Sequence, residues 1–112
     1  MLNKLAAAGC DIENARHRFL DDDAFLSESY RALAVDPEFT ALDLALKEGR
    51  YGDAFLSAHN LKGVTLTLGA SPLADTISRV VEDLRNGPTE TLAEDYAAFR
   101  FEADRILPIL RS

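Results

Sequence analysis

The feature that most constrains the fold is a helical spacing of apolar residues, interrupted regularly by glycine and proline. Apolar residues recur three and four positions apart, which places them on one face of an α-helix. The interruptions fall at Gly9, Pro37, Gly49, Gly69 and Gly87. Glycine typically follows the last turn of a helix, and proline suits the first turn. No alternating strand pattern and no fixed-period repeat is present, so the sequence predicts an all-α fold.

The helix boundaries follow from local start and stop signals. Two short helical pieces are predicted first, Leu2 to Ala8 and a segment capped by Asp11. Longer helices are predicted from Ala24 to Val35, from Pro37 to Gly49, from Tyr51 to Leu68, from Ser71 to Asn86, and from Thr89 onward. Asp21-Asp22-Asp23 suits a helix N-terminus, Ser71-Pro72 suits an N-cap and first helical position, and Pro108 should end or kink the last helix.

Short connections between these helices favour antiparallel neighbours. We therefore expect an up-and-down antiparallel four-helix bundle over residues 21–112. Residues 1–20 are expected to form a short helical segment that flanks the bundle. A chain of 112 residues has room for one core of this kind.

Composition narrows the class of function. Hydrophobic residues make up 47% and charged residues 28%, which is typical of a globular domain. The formal charge of −7, without a basic run, disfavours binding to nucleic acid or to anionic membranes. No apolar run approaches the roughly 20 residues of a membrane span, and the first residues lack a signal-peptide core, so we expect a cytoplasmic protein. The single cysteine, Cys10, agrees with a reducing compartment and is expected to be a packing residue.

The stretch from Ala58 to Gly69 carries the chemical information. On a helical wheel, His59 points away from the side expected to face the core, which is marked by Ala54, Leu61, Val64 and Leu68. An imidazole is mostly neutral at cellular pH, so a ring nitrogen keeps a lone pair for attack on phosphorus. A histidine exposed on a rigid helix could therefore accept a phosphoryl group from a partner's active site.

Two neighbours on the same face strengthen this interpretation. Lys62, three residues on, can place its ammonium beside phosphoryl oxygens. Gly63, four residues on, costs about 1 kcal/mol relative to alanine inside a helix, and such a cost beside a histidine suggests a functional reason. Without a side chain at that position, a phosphoryl group and a partner can approach the imidazole closely.

Large apolar side chains surround His59 on the same wheel. Phe55, Leu56 and Leu66 lie within about 60° of it, and Gly52 gives clearance toward the helix N-terminus. We interpret these four residues as part of a partner-docking surface. The alternative is that neighbouring helices bury Phe55 and Leu56.

The pattern His59-x-Leu61-Lys62-Gly63-x-x-x-x-Leu68-Gly69 resembles the signature of histidine-containing phosphotransfer (HPt) domains. The resemblance in helix layout covers about Asp21 to Leu110. It implies a phosphoacceptor role for His59, a phosphate-adjacent role for Lys62 and a steric role for Gly63. Val64 and Thr65 depart from it, because many members have small residues such as Ser or Ala there.

The resemblance also implies the partners. These are response-regulator receiver domains, which exchange the phosphoryl group through an aspartate, and a hybrid sensor histidine kinase. The expected protein is a monomeric phosphocarrier, not an enzyme with ATP-dependent kinase activity, because the chain has no Gly-rich phosphate loop or kinase signature. No cofactor is expected. No metal site is expected either, since His17, His59 and Cys10 lack ligand spacing.

Two other functions remain open at this level. The chain could be the phosphoacceptor domain of a chemotaxis-type kinase, which receives phosphate from an ATP-binding domain. It could also be a non-catalytic helical adaptor that binds a receiver. The sequence does not identify the pathway or the direction of phosphoryl flow.

Overall fold

A computed structural model of the chain describes residues 1–111, in which the helices are joined by short loops and no β-strand is present. The helices are α1 (Leu2–Ala7), α2 (Ile12–Arg18), α3 (Asp23–Ala34), α4 (Glu38–Lys47), α5 (Tyr51–Leu68), α6 (Ser71–Arg85) and α7 (Leu92–Leu110). The predicted all-α class is confirmed. No helix within these residues is long and apolar enough to cross a membrane.

Several predicted helix ends are confirmed by their hydrogen bonds. The side chain of Asp11 accepts from the backbone N–H of Asn14 at 3.2 Å and caps α2. Asp22 does the same for α3, accepting from the N–H of Phe25 at 3.0 Å. Gly69 ends α5 with φ +72°, a left-handed conformation that glycine adopts without strain.

Three predicted boundaries are wrong. The last helix begins at Leu92, because the hydroxyl of Thr89 donates instead to the carboxylate of Asp83 at 2.8 Å and holds the connection outside the helix. Pro108 does not end α7, which continues for two residues to Leu110 although Pro108 lacks the N–H for one helical hydrogen bond. Ser71 is the first helical residue of α6, not its N-cap, which is Ala70.

The core lies where α4, α5, α6 and α7 meet, with α3 packed against α5 and α7. Phe39 of α4 stacks on Phe99 of α7 with ring centroids 5.9 Å apart. The hydroxyl of Tyr96 on α7 donates to Asp43 on α4 at 2.8 Å, so α4 and α7 are joined directly. Cys10 is buried, as predicted for a packing residue, and burial raises the pKa of its thiol.

Candidate functional site

His59 lies in the middle of α5 and its side chain is exposed. The opposite face of the helix is fully buried at Ala54 and Leu61 and nearly so at Leu68, as predicted. Val64 was expected on that face but is 37% exposed. Its position on the wheel lies at the margin of the buried face, beside a groove between α3 and α5.

The C-terminal end of α5 is held by the N-terminal helices. The guanidinium of Arg18 on α2 donates to the carbonyls of Leu66 and Thr67, each at 2.9 Å. The hydroxyl of Tyr30 on α3 donates to the carbonyl of Leu68. These groups bond to carbonyls of the last turn, where a helix leaves carbonyls without partners of its own, and the positive charge opposes the negative end of the helix dipole. The helix that carries His59 is therefore fixed in place.

A close loop contact completes this anchor. The backbone N–H of Asp11 donates to the carbonyl of Gly69 at 2.7 Å. A Cβ atom on Gly69 would lie 2.4 Å from the carbonyl oxygen of Asp11, so only glycine fits. Residues 1–20 thus pack directly on the helix of the candidate site.

Beside His59, an aromatic ring and a cation are stacked. The rings of Phe55 and His59 are nearly parallel, at 14°, with centroids 6.0 Å apart. The guanidinium of Arg85, the last residue of α6, lies over the Phe55 ring at 5.6 Å from its centroid. The sequence-based prediction missed Arg85, because the period of α5 carries no information about which residue of α6 faces it.

Lys62 and Gly63 lie on the His59 side of α5, as the helical spacing predicts. Lys62 is half-buried, and it forms no ion pair with any residue in the range 1–111. Gly63 is exposed, and a Cβ atom built there would meet nothing within 4 Å. The space beside the imidazole is therefore open, and an uncommitted positive charge lies next to it.

The apolar surroundings of His59 are divided between exposed and covered side chains. Leu56 is 59% and Leu66 is 51% exposed, whereas Phe55 is half-buried. The alternative considered above was that neighbouring helices bury both Phe55 and Leu56. Phe55 is partly covered in this way, but Leu56 is not. Gly52 also has open space around it.

A groove on the other side of His59 was not predicted. It runs between α3 and α5, and its lining includes Phe19, Phe25, His59, Gly63 and Val64. Phe25, on α3, is 56% exposed. Apolar surface therefore borders the imidazole on both sides.

The remaining titratable groups do not form a second reactive cluster beside the imidazole. His17 is exposed on α2. Within residues 1–111, no group of three His, Cys, Asp or Glu side chains is placed to hold a metal ion. The chemistry that this face supports is nucleophilic attack by the imidazole, with Lys62 as the adjacent cation.

Comparisons of this chain with protein-family models, with curated proteins and with solved structures found no match.

Proposed function

We propose that the chain is a histidine phosphotransfer protein of a two-component phosphorelay and that His59 carries the phosphoryl group. The observation that supports this most strongly is the combination at one point of α5: an exposed imidazole, an unpaired Lys62 at i+3 and open space at Gly63. The HPt-like sequence pattern supports the same proposal. No single one of these features would be sufficient alone.

The proposed step balances without a cofactor. The lone pair of one neutral imidazole nitrogen attacks the phosphorus of an aspartyl phosphate on a receiver domain. An N–P bond forms as the O–P bond breaks, and the aspartate carboxylate leaves with the electron pair. The attack leaves the ring as a positively charged, N-phosphorylated imidazolium. It becomes neutral again when the other ring nitrogen gives its proton to water. The reverse reaction passes the group to a second receiver.

Lys62 supports this step by electrostatics. At about 4 Å, an ammonium and a phosphoryl oxygen attract by about 1 kcal/mol in bulk water and by about 4 kcal/mol at an effective dielectric near 20. A docked receiver excludes water and produces the second condition. Lys62 therefore stabilises the transferring group mainly within the complex.

The proposal extends to the architecture and the partners. We propose that residues 21–112 form the up-and-down antiparallel four-helix bundle, an arrangement supported by the Phe39–Phe99 stack and the Tyr96–Asp43 hydrogen bond, which both join α4 to α7. The partners are receiver domains and a hybrid sensor kinase in the cytoplasm, and the protein acts as a monomer. Leu56 and Leu66 contribute apolar contact to the receiver, Phe55 borders that contact, and Gly52 gives it clearance.

The test mixes the purified protein with candidate receivers that have been charged by a small phosphodonor. Label should appear on the protein as acid-labile, base-stable phosphohistidine. It should be absent in His59→Gln and unchanged in His17→Gln, a matched control at an exposed histidine on α2. Receiver binding without any labelling of the wild type would instead indicate an adaptor, and no transfer from any receiver of the source organism would refute the proposal.

A further inference from the structure

The contacts of Arg85 point to a role that the α5 pattern does not contain. Its guanidinium lies 5.6 Å from the centre of the Phe55 ring, and that ring is parallel to the imidazole of His59. We infer that Arg85 is a second phosphoryl-binding cation of the site and that Glu82 holds it in reserve until His59 is phosphorylated. This inference rests on the proposed phosphotransfer function.

The charge of the product creates the need for a second cation. A phosphoryl group on His59 adds nearly two negative charges at neutral pH, and Lys62 supplies one positive charge. The guanidinium of Arg85 can donate two parallel hydrogen bonds to phosphoryl oxygens, a geometry that an ammonium does not offer. Other nearby arginines are committed, since Arg18 binds the end of α5 and Arg50 pairs with two carboxylates.

The bond that restrains Arg85 is easily exchanged. The nitrogens of Arg85 lie 3.1 to 3.4 Å from the carboxylate of Glu82. The equivalent i,i+3 pair on α7, Arg105 with Glu102, is shorter, at 2.6 and 2.9 Å. Both side chains of the α6 pair are also well exposed, 47% for Arg85 and 61% for Glu82, and exposed pairs contribute little. A doubly charged phosphoryl group can therefore displace Glu82.

The Phe55 ring keeps the Arg85 guanidinium close to His59. A cation over an aromatic face is attracted by the ring, so Arg85 gains a second weak contact while it remains bound to Glu82. Phe55 in turn lies against the imidazole. Arg85 and the imidazole thus both contact the same ring, and the inferred role requires a change of the Arg85 rotamer toward the phosphoryl oxygens.

The test measures the rate at which phosphoramidate, a small donor that needs no receiver, charges His59. Arg85→Gln should slow charging and shorten the phosphohistidine lifetime by about three- to tenfold, a change expected for one lost charge interaction at a partly exposed site. Arg85→Lys should recover part of the rate, and Arg85→Met, which keeps packing on Phe55, should not. Arg105→Gln, which removes the same charge from the matched pair on α7, should leave both values unchanged.

Glu82 provides the sharper half of the test. Glu82→Gln should release Arg85 and speed charging by about two- to threefold, which is well below the tenfold change that corresponds to about 1.4 kcal/mol. Glu102→Gln, the matched change on α7, should have no effect. The double variant Arg85→Gln with Glu82→Gln should be as slow as Arg85→Gln alone. If the double variant keeps the gain, Glu82 acts through space and the restraint of Arg85 is refuted.

Failure of the inference and failure of the proposed function give different results. If phosphoramidate does not label His59 of the wild-type protein, the proposed function itself is refuted. Wild-type protein that is labelled normally, with Arg85→Gln labelled at the same rate and equally long-lived, removes only the role of Arg85. Circular dichroism should show the same helix content and melting temperature for each variant that is compared.

Discussion

Replacing Gly63 by alanine separates the stability of the free protein from the access of a partner. Gly63 lies inside α5, and a methyl group there would meet no atom within 4 Å. Only the helix preference then changes, and it favours alanine by about 1 kcal/mol. We expect the free energy of unfolding to rise by about 0.5–1 kcal/mol and the melting temperature to rise by about 2–5 °C for a domain of this size.

Phosphotransfer should change in the opposite direction. The new methyl group would occupy space beside His59 that the proposed phosphoryl group and receiver need. A displacement of reacting atoms by a fraction of an ångström is enough to slow transfer by about tenfold. The assays are urea unfolding followed by circular dichroism, and single-turnover transfer to a receiver.

Gly52 provides a graded comparison for this experiment, because it borders the proposed docking surface and is not adjacent to the imidazole. It lies in the same helix about two turns from His59, and a Cβ atom there also meets nothing within 4 Å. Gly52 lies in the first turn of α5 and two turns from the imidazole, so Gly52→Ala should give a smaller stability gain and a smaller loss of transfer than Gly63→Ala. A Gly63→Ala protein that is more stable but transfers at the wild-type rate would refute the steric role, and one that is less stable would refute the account of open space.

Three further predictions concern stability. Gly69→Ala should lower the free energy of unfolding by about 2 kcal/mol or more in urea titration, because φ is +72° and the added carbon would strike a backbone carbonyl. Leu20→Gly should raise it by about 1 kcal/mol, because Leu20 has φ +53° and its side chain is 88% exposed. Hydrogen bonds from Lys47 and then Tyr96 lower the pKa of Asp43, so its contribution is present above about pH 4 and lost as pH falls further; Asp43→Asn should flatten this acid limb.

Each of these predictions can fail in a defined way. If Gly69→Ala were as stable as the wild type, the loop at Asp11 would be able to shift away from the added carbon without a loss in the free energy of unfolding. A less stable Leu20→Gly would show that the leucine side chain contributes more than its backbone strain removes. An acid unfolding profile of Asp43→Asn that matches the wild type would remove Asp43 from the groups responsible for acid sensitivity.

The sequence predicts α5 well because its signals are local. Tyr51 and Leu68 are the observed ends, and Gly69 adopts the left-handed conformation that its position after an apolar helix predicts. The exposure of His59 and the open space at Gly63 follow from helical geometry alone. These properties depend on residues within one or two turns of each other.

The predictions fail where the local structure depends on contacts with residues distant in the sequence. The start of α7 was predicted at Thr89 but lies at Leu92, because the hydroxyls of Thr89 and Thr91 donate to the carboxylate of Asp83 on α6. The position of Arg85 depends on how α6 packs against α5. Neither relation is encoded in a period or a capping signal, so both require the packed structure.

The anchoring of α5 has a consequence for the entropy of association. Arg18 and Tyr30 fix the C-terminal end of the helix through hydrogen bonds to its last carbonyls. A partner that docks over His59 therefore meets a backbone that is already ordered, and binding need not offset the freezing of that segment. In the proposed phosphotransfer complex, the remaining entropic cost would fall on a few exposed side chains, Leu56 and Leu66 among them, and such a small cost suits an association that is readily reversed.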